Sequence, residues 1–142
     1  MLKVNRLLMI FLLLATCALI VSCAGGPSFV NVEEIPEQKG LIYLYRKSSL
    51  FGVAIVPQIW CNGAPIVSLK SGGYYAYFAD PGKTFITAKT ESRTGVTIEV
   101  EPGKTYYVRL RIGLGIVAGR PHLTLVDEEK GAKEIKGCKL QG

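Results

Sequence analysis

From residue 41 onward the chain consists of short runs rich in Val, Ile, Tyr, Thr and Phe, separated at close spacing by Gly, Pro and Asn. Such runs are typical of β-strands, because β-branched and aromatic side chains suit a pleated sheet and the separating residues suit turns. No apolar segment here has the length and spacing of a substantial helix, which disfavours βαβ units. We therefore predict an all-β fold, an antiparallel β-sandwich of about seven or eight strands. The predicted strands are residues 41–46, 53–61, 66–69, 74–79, 84–90, 96–101, 105–112 and 122–126.

The turn at residues 101–105 allows the pairing of its flanking strands to be tested by side-chain parity. A three-residue loop places Val100 opposite Tyr106 and keeps the apolar residues of both strands on one face. A two-residue loop would break this pattern, so the sequence predicts a hairpin with the longer loop. In that register Glu99 and Arg109 are diagonal neighbours on the solvent face.

Two further turns are predicted by the same reasoning. Residues 80–84 repeat the Pro-Gly-Lys-Thr turn, and the same register sets Phe78 opposite Ile86. Asn62-Gly63 is a hairpin signal, because both central residues of a type I′ turn need positive φ. Pro65 lacks a backbone donor, which indicates that its strand lies at a sheet edge.

The end of the chain has the pattern of a short helix. Asp127 is a suitable N-cap, two glutamates follow it, and lysines come later in the segment 127–135. Gly131 in the middle weakens this helix prediction.

The first 22 residues have the three parts of a secretory signal: basic Lys3 and Arg6, an uncharged apolar run over residues 7–21, and a small residue before Cys23. The run resembles the lipobox of bacterial lipoproteins, in which the signal is cut before a cysteine that carries lipid, including palmitate. A transmembrane anchor is the alternative, but fifteen helical residues span only about 22 Å of a roughly 30 Å hydrocarbon core. Cys17 is a weaker cleavage site, because it lies inside the apolar run.

This resemblance divides the chain into a signal peptide (residues 1–22), a lipidated N-terminus with a flexible tether (residues 23–40) and a folded domain (residues 41–142). The tether prediction depends on the Gly and Pro content of residues 24–40 and their lack of periodicity. Membrane attachment through the Cys23 lipid places the protein in the cell envelope. Ala24, rather than aspartate, after the cysteine resembles the signal for the outer membrane, facing the periplasm.

Charge argues against nucleic acid as a partner. Loss of Lys3 and Arg6 with the signal would leave 15 basic and 11 acidic side chains. The basic residues are scattered and form no run of five or more, unlike the clusters of nucleic-acid-binding proteins.

Two cysteines remain for pairing, Cys61 and Cys138, once Cys17 and Cys23 are assigned to the signal and the lipid. An oxidising compartment permits a disulfide between them. Two buried free thiols are the alternative.

Catalytic, metal and cofactor sites have little support. His122 is the only histidine, no Gly-x-Ser-x-Gly motif is present, and a Cys61–His122 dyad has no accompanying motif. Cys61, His122 and Cys138 lack the short paired spacings of zinc sites. The glycines of residues 113–119 have the wrong spacing for a dinucleotide loop, and a strand rather than a helix is predicted after them. We predict no catalytic residue, no metal and no cofactor.

Tyrosines at alternating positions offer a candidate binding surface. Tyr75, Tyr77, Tyr107 and Arg109 would form an exposed patch if their strands were neighbours, with Trp60 nearby. Such a patch suits glycans or partner proteins, since the ring offers apolar area and the hydroxyl a hydrogen bond. The alternative is that the rings only cover the faces of the sandwich.

Turn and strand motifs over residues 40–140 resemble the DUF2846 domain of bacterial lipoproteins. The motifs that carry the resemblance are Leu41-Ile42-Tyr43-Leu44-Tyr45-Arg46, Asn62-Gly63, Gly73-Tyr74, Pro81-Gly82-Lys83, Gly103-Lys104-Thr105-Tyr106-Tyr107-Val108-Arg109, and Gly119-Arg120-Pro121 with Leu123 and Leu125. The resemblance implies a small exported β-sandwich, similar to transthyretin-like or PEGA-like modules, and no established activity. We therefore expect a non-enzymatic, lipid-anchored binding or structural accessory module. A glycan or peptidoglycan binder using the tyrosines and an envelope enzyme using Cys61 or His122 are the alternatives.

Overall fold

The structure, a computed structural model, describes Met9, residues 24–116 and residues 119–142. Over these residues it contains two β-sheets and a short helix. The elements in chain order are β1 (Gly40–Tyr45), β2 (Gln58–Cys61), β3 (Ala64–Ser68), β4 (Gly73–Ala79), β5 (Gly82–Lys89), β6 (Arg93–Val100), β7 (Thr105–Gly113), β8 (Arg120–Val126), α1 (Glu128–Ile135) and β9 (Lys139–Leu140). The five-stranded sheet has the order β8-β7-β1-β4-β9, and the four-stranded sheet the order β3-β2-β5-β6. The predicted all-β sandwich is confirmed.

The main core lies between the two sheets. Alternate residues of each strand point into it, as the two-residue period of a strand requires. Ile42 and Leu44 of the five-stranded sheet meet Ile59, Ile86 and Ile98 of the four-stranded sheet, and all five are almost completely buried. Full burial of a side chain of this size contributes about 1.5–3 kcal/mol, so this layer is a principal source of stability.

The opposite face of the five-stranded sheet, its outer face, is also covered. Leu41, Tyr43 and Tyr45 of β1 point to this side and are buried beneath α1 and residues 24–39, with Ile135 of the helix packed among them. The strand β1 is therefore buried on both faces, which explains why its sequence is an uninterrupted apolar run rather than an alternating one.

The predicted hairpin around residues 101–105 is wrong. β6 belongs to the four-stranded sheet, where Val100 pairs with Gly82, whereas β7 belongs to the five-stranded sheet, where Tyr106 pairs with Ile42. The two strands belong to opposite sheets and share no ladder, and the strand of the five-stranded sheet that β6 approaches most is β8. Parity identifies the inward-facing residues correctly, but it does not identify the sheet to which a strand belongs.

The predicted hairpin around residues 80–84 is wrong for the same reason. Phe78 of β4 pairs with Leu41, and Ile86 of β5 pairs with Cys61 and Val96. The chain therefore changes sheets at both Pro-Gly-Lys turns. Two pairings in the five-stranded sheet, β1 with β7 and β4 with β9, are parallel.

The Asn62-Gly63 turn is confirmed. Cys61 pairs with Ala64 across it, and φ is 47° at Asn62 and 86° at Gly63, as a type I′ turn needs. Pro65 lies in β3, which is at the edge of its sheet, as its missing donor predicts.

The predicted C-terminal helix is confirmed as α1. Asp127 is its N-cap, and the Asp127 carboxylate accepts a hydrogen bond from the Lys130 amide at 2.9 Å. Gly131 is tolerated in this helix because it packs directly on the ring of Tyr107.

Residues 24–39, which we call the N-terminal strap, do not form the predicted flexible tether. The amide of Phe29 donates to the Cys138 carbonyl at 3.0 Å, and the amide of Val32 donates to the Tyr43 hydroxyl at 2.8 Å. The Phe29 ring also packs edge-on against Tyr43 and Tyr74. The apolar side chains of the strap pack against the aromatic residues of the outer face. The Gly and Pro content of the segment does not reveal this packing.

The predicted signal peptide and lipidation site lie outside the described residues, apart from Met9. Among the residues that are described, no helix has the length and apolar character needed to cross a membrane.

Candidate functional site

A cleft of about 400 Å³ opens at one end of the sandwich, beside the ends of β1 and β7. We call this the loop end; it comprises residues 46–57, 69–72, 90–92 and the described residues between β7 and β8. Four basic residues line the cleft, together with one aromatic ring, one hydroxyl and two aliphatic residues. These lining residues are Arg46, Lys47, Arg109, Arg111, Phe51, Ser49, Leu110 and Ile112.

The cleft exists because β1 and β7 separate. Their last paired residues are Tyr45 and Arg109, after which the chain leaves β1 into the loop of residues 46–57. Arg46 secures this loop: it is buried, and its guanidinium donates to the carbonyl oxygens of Gly52 and Ile55 at 2.6 Å each. Burial lowers the pKa of Arg46, so these hydrogen bonds offset a real desolvation cost.

One carboxylate faces the basic side chains of the cleft. Glu134 of α1 accepts a hydrogen bond from the Tyr45 hydroxyl at 2.7 Å and pairs with Arg109 at 3.2 Å and with Lys47 at 3.7 Å. The Arg109 and Glu134 side chains are each 14% exposed, so this pair is screened less than a surface ion pair. Counting Arg111 as well, the positive charges around the cleft outnumber the negative one.

Arg109 retains unused donor capacity. Its Nε atom is buried and has no hydrogen-bond partner in the described part of the chain. A buried donor without a partner costs free energy, and this atom is not itself open to a ligand in the cleft. Arg111, which is exposed, and the exposed part of the Arg109 guanidinium are the groups that suit a carboxylate or phosphate there.

A second cleft of about 330 Å³ adjoins the first and shares Arg111 with it. It includes His122, which lies opposite Arg111 in the β7–β8 pair and is exposed. His122 therefore adds an imidazole ring to the border of the basic region, and the Thr124 hydroxyl lines the same cleft.

The predicted tyrosine surface is wrong, although its members lie in one sheet. Tyr75 and Tyr77 point toward the core between the sheets, whereas Tyr107 and Arg109 lie on the outer face. Tyr107 is also buried under α1. The prediction failed because β4 and β7 are not neighbours, β1 lies between them, and both faces of the sheet are covered.

Cys61 and Cys138 are both buried free thiols, so the predicted disulfide is not formed. Cys61 lies in the core between the sheets, and Cys138 lies in the cluster on the outer face. The Tyr77 hydroxyl hydrogen-bonds Cys61, which together with burial raises the pKa of Tyr77 to about 12. The Cys61–His122 dyad is likewise not assembled, because Cys61 precedes the Asn62 turn at the end of the sandwich away from His122.

Cys138 is unsuited to nucleophilic chemistry. Its thiol donates to the Arg46 carbonyl at 3.6 Å, and burial raises its pKa to about 11. A buried thiol with a raised pKa is almost entirely protonated at neutral pH, and the thiolate is the reactive form.

Metal and nucleotide chemistry gain no support from the geometry. The described residues contain no group of three or more His, Cys, Asp or Glu side chains that could hold a metal ion. Gly113 ends β7, and the chain returns at Arg120 into β8 rather than into a helix, so the glycines between them connect two antiparallel strands.

The basic cleft was missed by sequence reasoning, although two signals were present. Arg46 and Lys47 are consecutive at the end of a predicted strand, and Arg109 and Arg111 alternate on one face of another. What the sequence does not show is that β1 and β7 are parallel neighbours, which brings the two pairs together.

Acid should weaken the interaction of Glu134 with its partners. Burial opposes ionisation, but the hydrogen bond from Tyr45 and the charges of Arg109 and Lys47 outweigh it and lower the pKa of Glu134. As the pH falls, the Glu134 carboxyl therefore binds a proton at a higher pH in the unfolded chain than in the folded protein. The stabilisation by ionised Glu134 is complete above the unfolded-state pKa of about 4.3 and is lost as the pH falls through the lower folded-state pKa.

We expect Glu134→Gln to destabilise the protein more at about pH 6 than at about pH 3, as measured by urea unfolding. Glu129→Gln in the exposed first turn of α1 is the control, and its effect should vary much less with pH. A Glu134→Gln effect of equal size at both pH values would contradict this assignment.

Comparison with known proteins identifies a family but adds no activity. Residues 36–121, more than half of the chain, match the family described as "Protein of unknown function (DUF2846)". An uncharacterised protein of Haemophilus influenzae is 27% identical over 127 residues, which cover 87% of this chain and 75% of the relative. No solved structure matches the chain. The chain therefore belongs to the DUF2846 family of proteins of unknown function.

Proposed function

We propose that this protein is a lipid-anchored, non-enzymatic binding module of the cell envelope, and that the cleft at the loop end binds an anionic group. The observation that carries the proposal is the set of four basic side chains around one cleft, Arg46, Lys47, Arg109 and Arg111, two of which pair with the carboxylate of Glu134. Arginine forks recognise carboxylate and phosphate groups by paired hydrogen bonds. A carboxylate- or phosphate-bearing ligand is thus the class that the cleft fits.

A binding role is favoured over catalysis by what surrounds the cleft. The nearest thiol, Cys138, is buried and has a raised pKa, and His122 lies beyond Arg111 in the adjoining cleft. The site therefore offers positive charge and an aromatic wall from Phe51, which suffice for recognition.

Anchoring is proposed to occur through lipid on Cys23, with the protein in the outer membrane and facing the periplasm. The support is the basic start, apolar run and small residue before Cys23, and the alanine after it. Cys23→Ser is expected to abolish incorporation of labelled palmitate and to leave an unprocessed precursor. Wild-type protein that stays in the membrane fraction without incorporating palmitate would contradict this part of the proposal.

The cleft is tested by titrating the lipidated protein in detergent with inorganic phosphate and following backbone amide signals by NMR. We expect saturable shifts confined to residues 46–51 and 109–112. The Lys47→Gln/Arg111→Gln variant should bind about tenfold or more weakly, because two charge-assisted contacts are lost.

The control is Lys83→Gln/Lys89→Gln, which makes the same change in net charge on β5 of the other sheet. It should bind phosphate as the wild type does. Equal weakening in both double variants would show a general charge effect and would contradict a specific cleft.

A further inference from the structure

The loop end carries the most exposed large apolar side chains in the described part of the chain. Leu50 is 95% exposed, Ile116 87% and Leu114 81%, and Phe51 is about half exposed. Apolar side chains grouped in this way mark a contact surface, whereas single ones scattered over a protein need no explanation.

These side chains belong to two loops that are packed against each other. A Cβ atom at Gly52 would lie 2.8 Å from Cγ2 of Ile112, and one at Gly119 would lie 2.8 Å from Cδ1 of Ile55. Such close approach fixes the loop of residues 46–57 beside the connection between β7 and β8. Their exposed tips therefore project from the same end of the sandwich.

The N-terminal residue of the strap is hydrogen-bonded at the loop end as well. Ala24 is buried, and its amide donates to the Ser71 carbonyl at 3.1 Å. Ser71 in turn donates from its hydroxyl to the Ser49 carbonyl at 3.1 Å, one residue before Leu50. Ala24, the first residue of the strap, therefore lies at the loop end, close to the loop that carries Leu50.

Charged side chains, most of them basic, border the apolar tips. Lys47 and Arg111 are exposed on one side. On the other side Arg120 pairs with Glu91 at 3.6 Å, and the Glu91 carboxylate also accepts a hydrogen bond from the Ile116 amide at 3.0 Å. Apolar side chains bordered by cations are the composition of surfaces that rest on anionic phospholipid, with the rings and alkyl groups in the interface and the cations near phosphates.

We propose that the loop end lies directly on a bilayer containing anionic phospholipid, with Leu50, Phe51, Leu114 and Ile116 in its interface. The inference rests on the proposed lipid anchor, since it is the position of Ala24 that brings the loop end to the membrane. The strap then holds the folded domain against the membrane surface, so the domain does not stand away from the bilayer. The cleft opens at the same end, so its cations lie within reach of lipid phosphates.

The test uses the lipidated full-length protein reconstituted in vesicles of phosphatidylethanolamine and phosphatidylglycerol. An environment-sensitive fluorophore is attached at Leu50→Cys or Leu114→Cys, while Cys61 and Cys138 are protected by burial. We expect blue-shifted emission that is quenched by spin-labelled lipid. The same fluorophore at Lys83→Cys, at the opposite end of the sandwich, should stay in water and be quenched by iodide.

A second measurement uses the fluorophore at Leu114→Cys in a Leu50→Asp background. We expect quenching by lipid to fall at least several-fold, while palmitate incorporation is unchanged. Val30→Asp, an equally drastic change at an exposed apolar residue of the strap, should leave quenching unaltered.

The outcomes separate the two proposals. Palmitate incorporation with a fluorophore at Leu50 that remains in water would overturn the membrane contact and leave the lipid anchor intact. A fluorophore that becomes shielded only after an envelope protein fraction is added would also overturn it, in favour of a protein partner. Absence of palmitate on the wild type would overturn the proposed anchoring itself.

Discussion

Truncation of Arg46 to alanine is expected to lower the free energy of unfolding by about 2–4 kcal/mol. The buried guanidinium donates to two loop carbonyls at 2.6 Å, and each charge-assisted hydrogen bond contributes about 1.5–3 kcal/mol. Removal of a buried charge also recovers part of its desolvation cost. The net loss of stability is therefore smaller than the summed contributions of the two hydrogen bonds. Urea unfolding of the variant measures this loss.

The matched variants distinguish the hydrogen bonds from the charge. Arg46→Lys keeps a positive charge but replaces the two guanidinium nitrogens that bind Ile55 and Gly52 with one ammonium nitrogen, so we expect an intermediate loss of stability. Arg111→Ala removes an exposed arginine of the same cleft and should change stability by about 0.5 kcal/mol or less. Hydrogen exchange should accelerate in residues 47–56 of the Arg46→Ala variant. Stability of Arg46→Ala equal to that of Arg111→Ala would show that the loop does not depend on this side chain.

Gly131→Ala is expected to destabilise the protein by about 1–3 kcal/mol, against the usual direction of this substitution. Glycine in a helix interior is normally about 1 kcal/mol less favourable than alanine, so an isolated helix would gain stability. Here a Cβ atom would lie 2.7 Å from Cδ1 of Tyr107 and closer still to Cγ and Cβ of that residue. These atoms lie at the root of a buried side chain and cannot move aside without displacing α1 or β7.

Gly137→Ala is the control for this prediction, because no atom lies within 4 Å of its Cβ position. It should leave the thermal unfolding temperature nearly unchanged, while Gly131→Ala lowers it. A second check is the Tyr107→Ala background, in which Gly131→Ala should cost less. Stabilisation by Gly131→Ala in the wild type would mean that the helix is not seated on Tyr107 as described.

The sequence is informative about which side chains are buried and less so about which strands are neighbours. Ile98 and Val108 are correctly predicted to face inward, because apolar alternation reflects burial directly. An inward-facing strand has the same pattern in either sheet, however, so the pairing of β6 with β7 was predicted wrongly. The Asn62-Gly63 turn was predicted correctly because its requirement for positive φ is local.

The candidate site depends on contacts that no local pattern encodes. Arg46 and Arg109 are far apart in sequence and meet only because β1 and β7 are parallel neighbours. Glu134, which pairs with Arg109, comes from a helix beyond the residues that match the family. The strap was misjudged because Phe29 and Val32 are sparse apolar residues among turn-forming ones, and their burial depends on an aromatic face contributed by other strands.

The central position of β1 has a consequence for the order of folding. This strand is synthesised first, yet its two neighbours, β4 and β7, follow it by about 30 and 60 residues, and slow formation is expected of sheets built on such distant pairs. Until β7 arrives, Leu41, Tyr43 and Tyr45 form an apolar strand with an unpaired edge, a combination that favours aggregation. For the export that we propose, slow pairing of β1 would favour the unfolded state that translocation needs, and it would leave this strand open to aggregation until β7 is available.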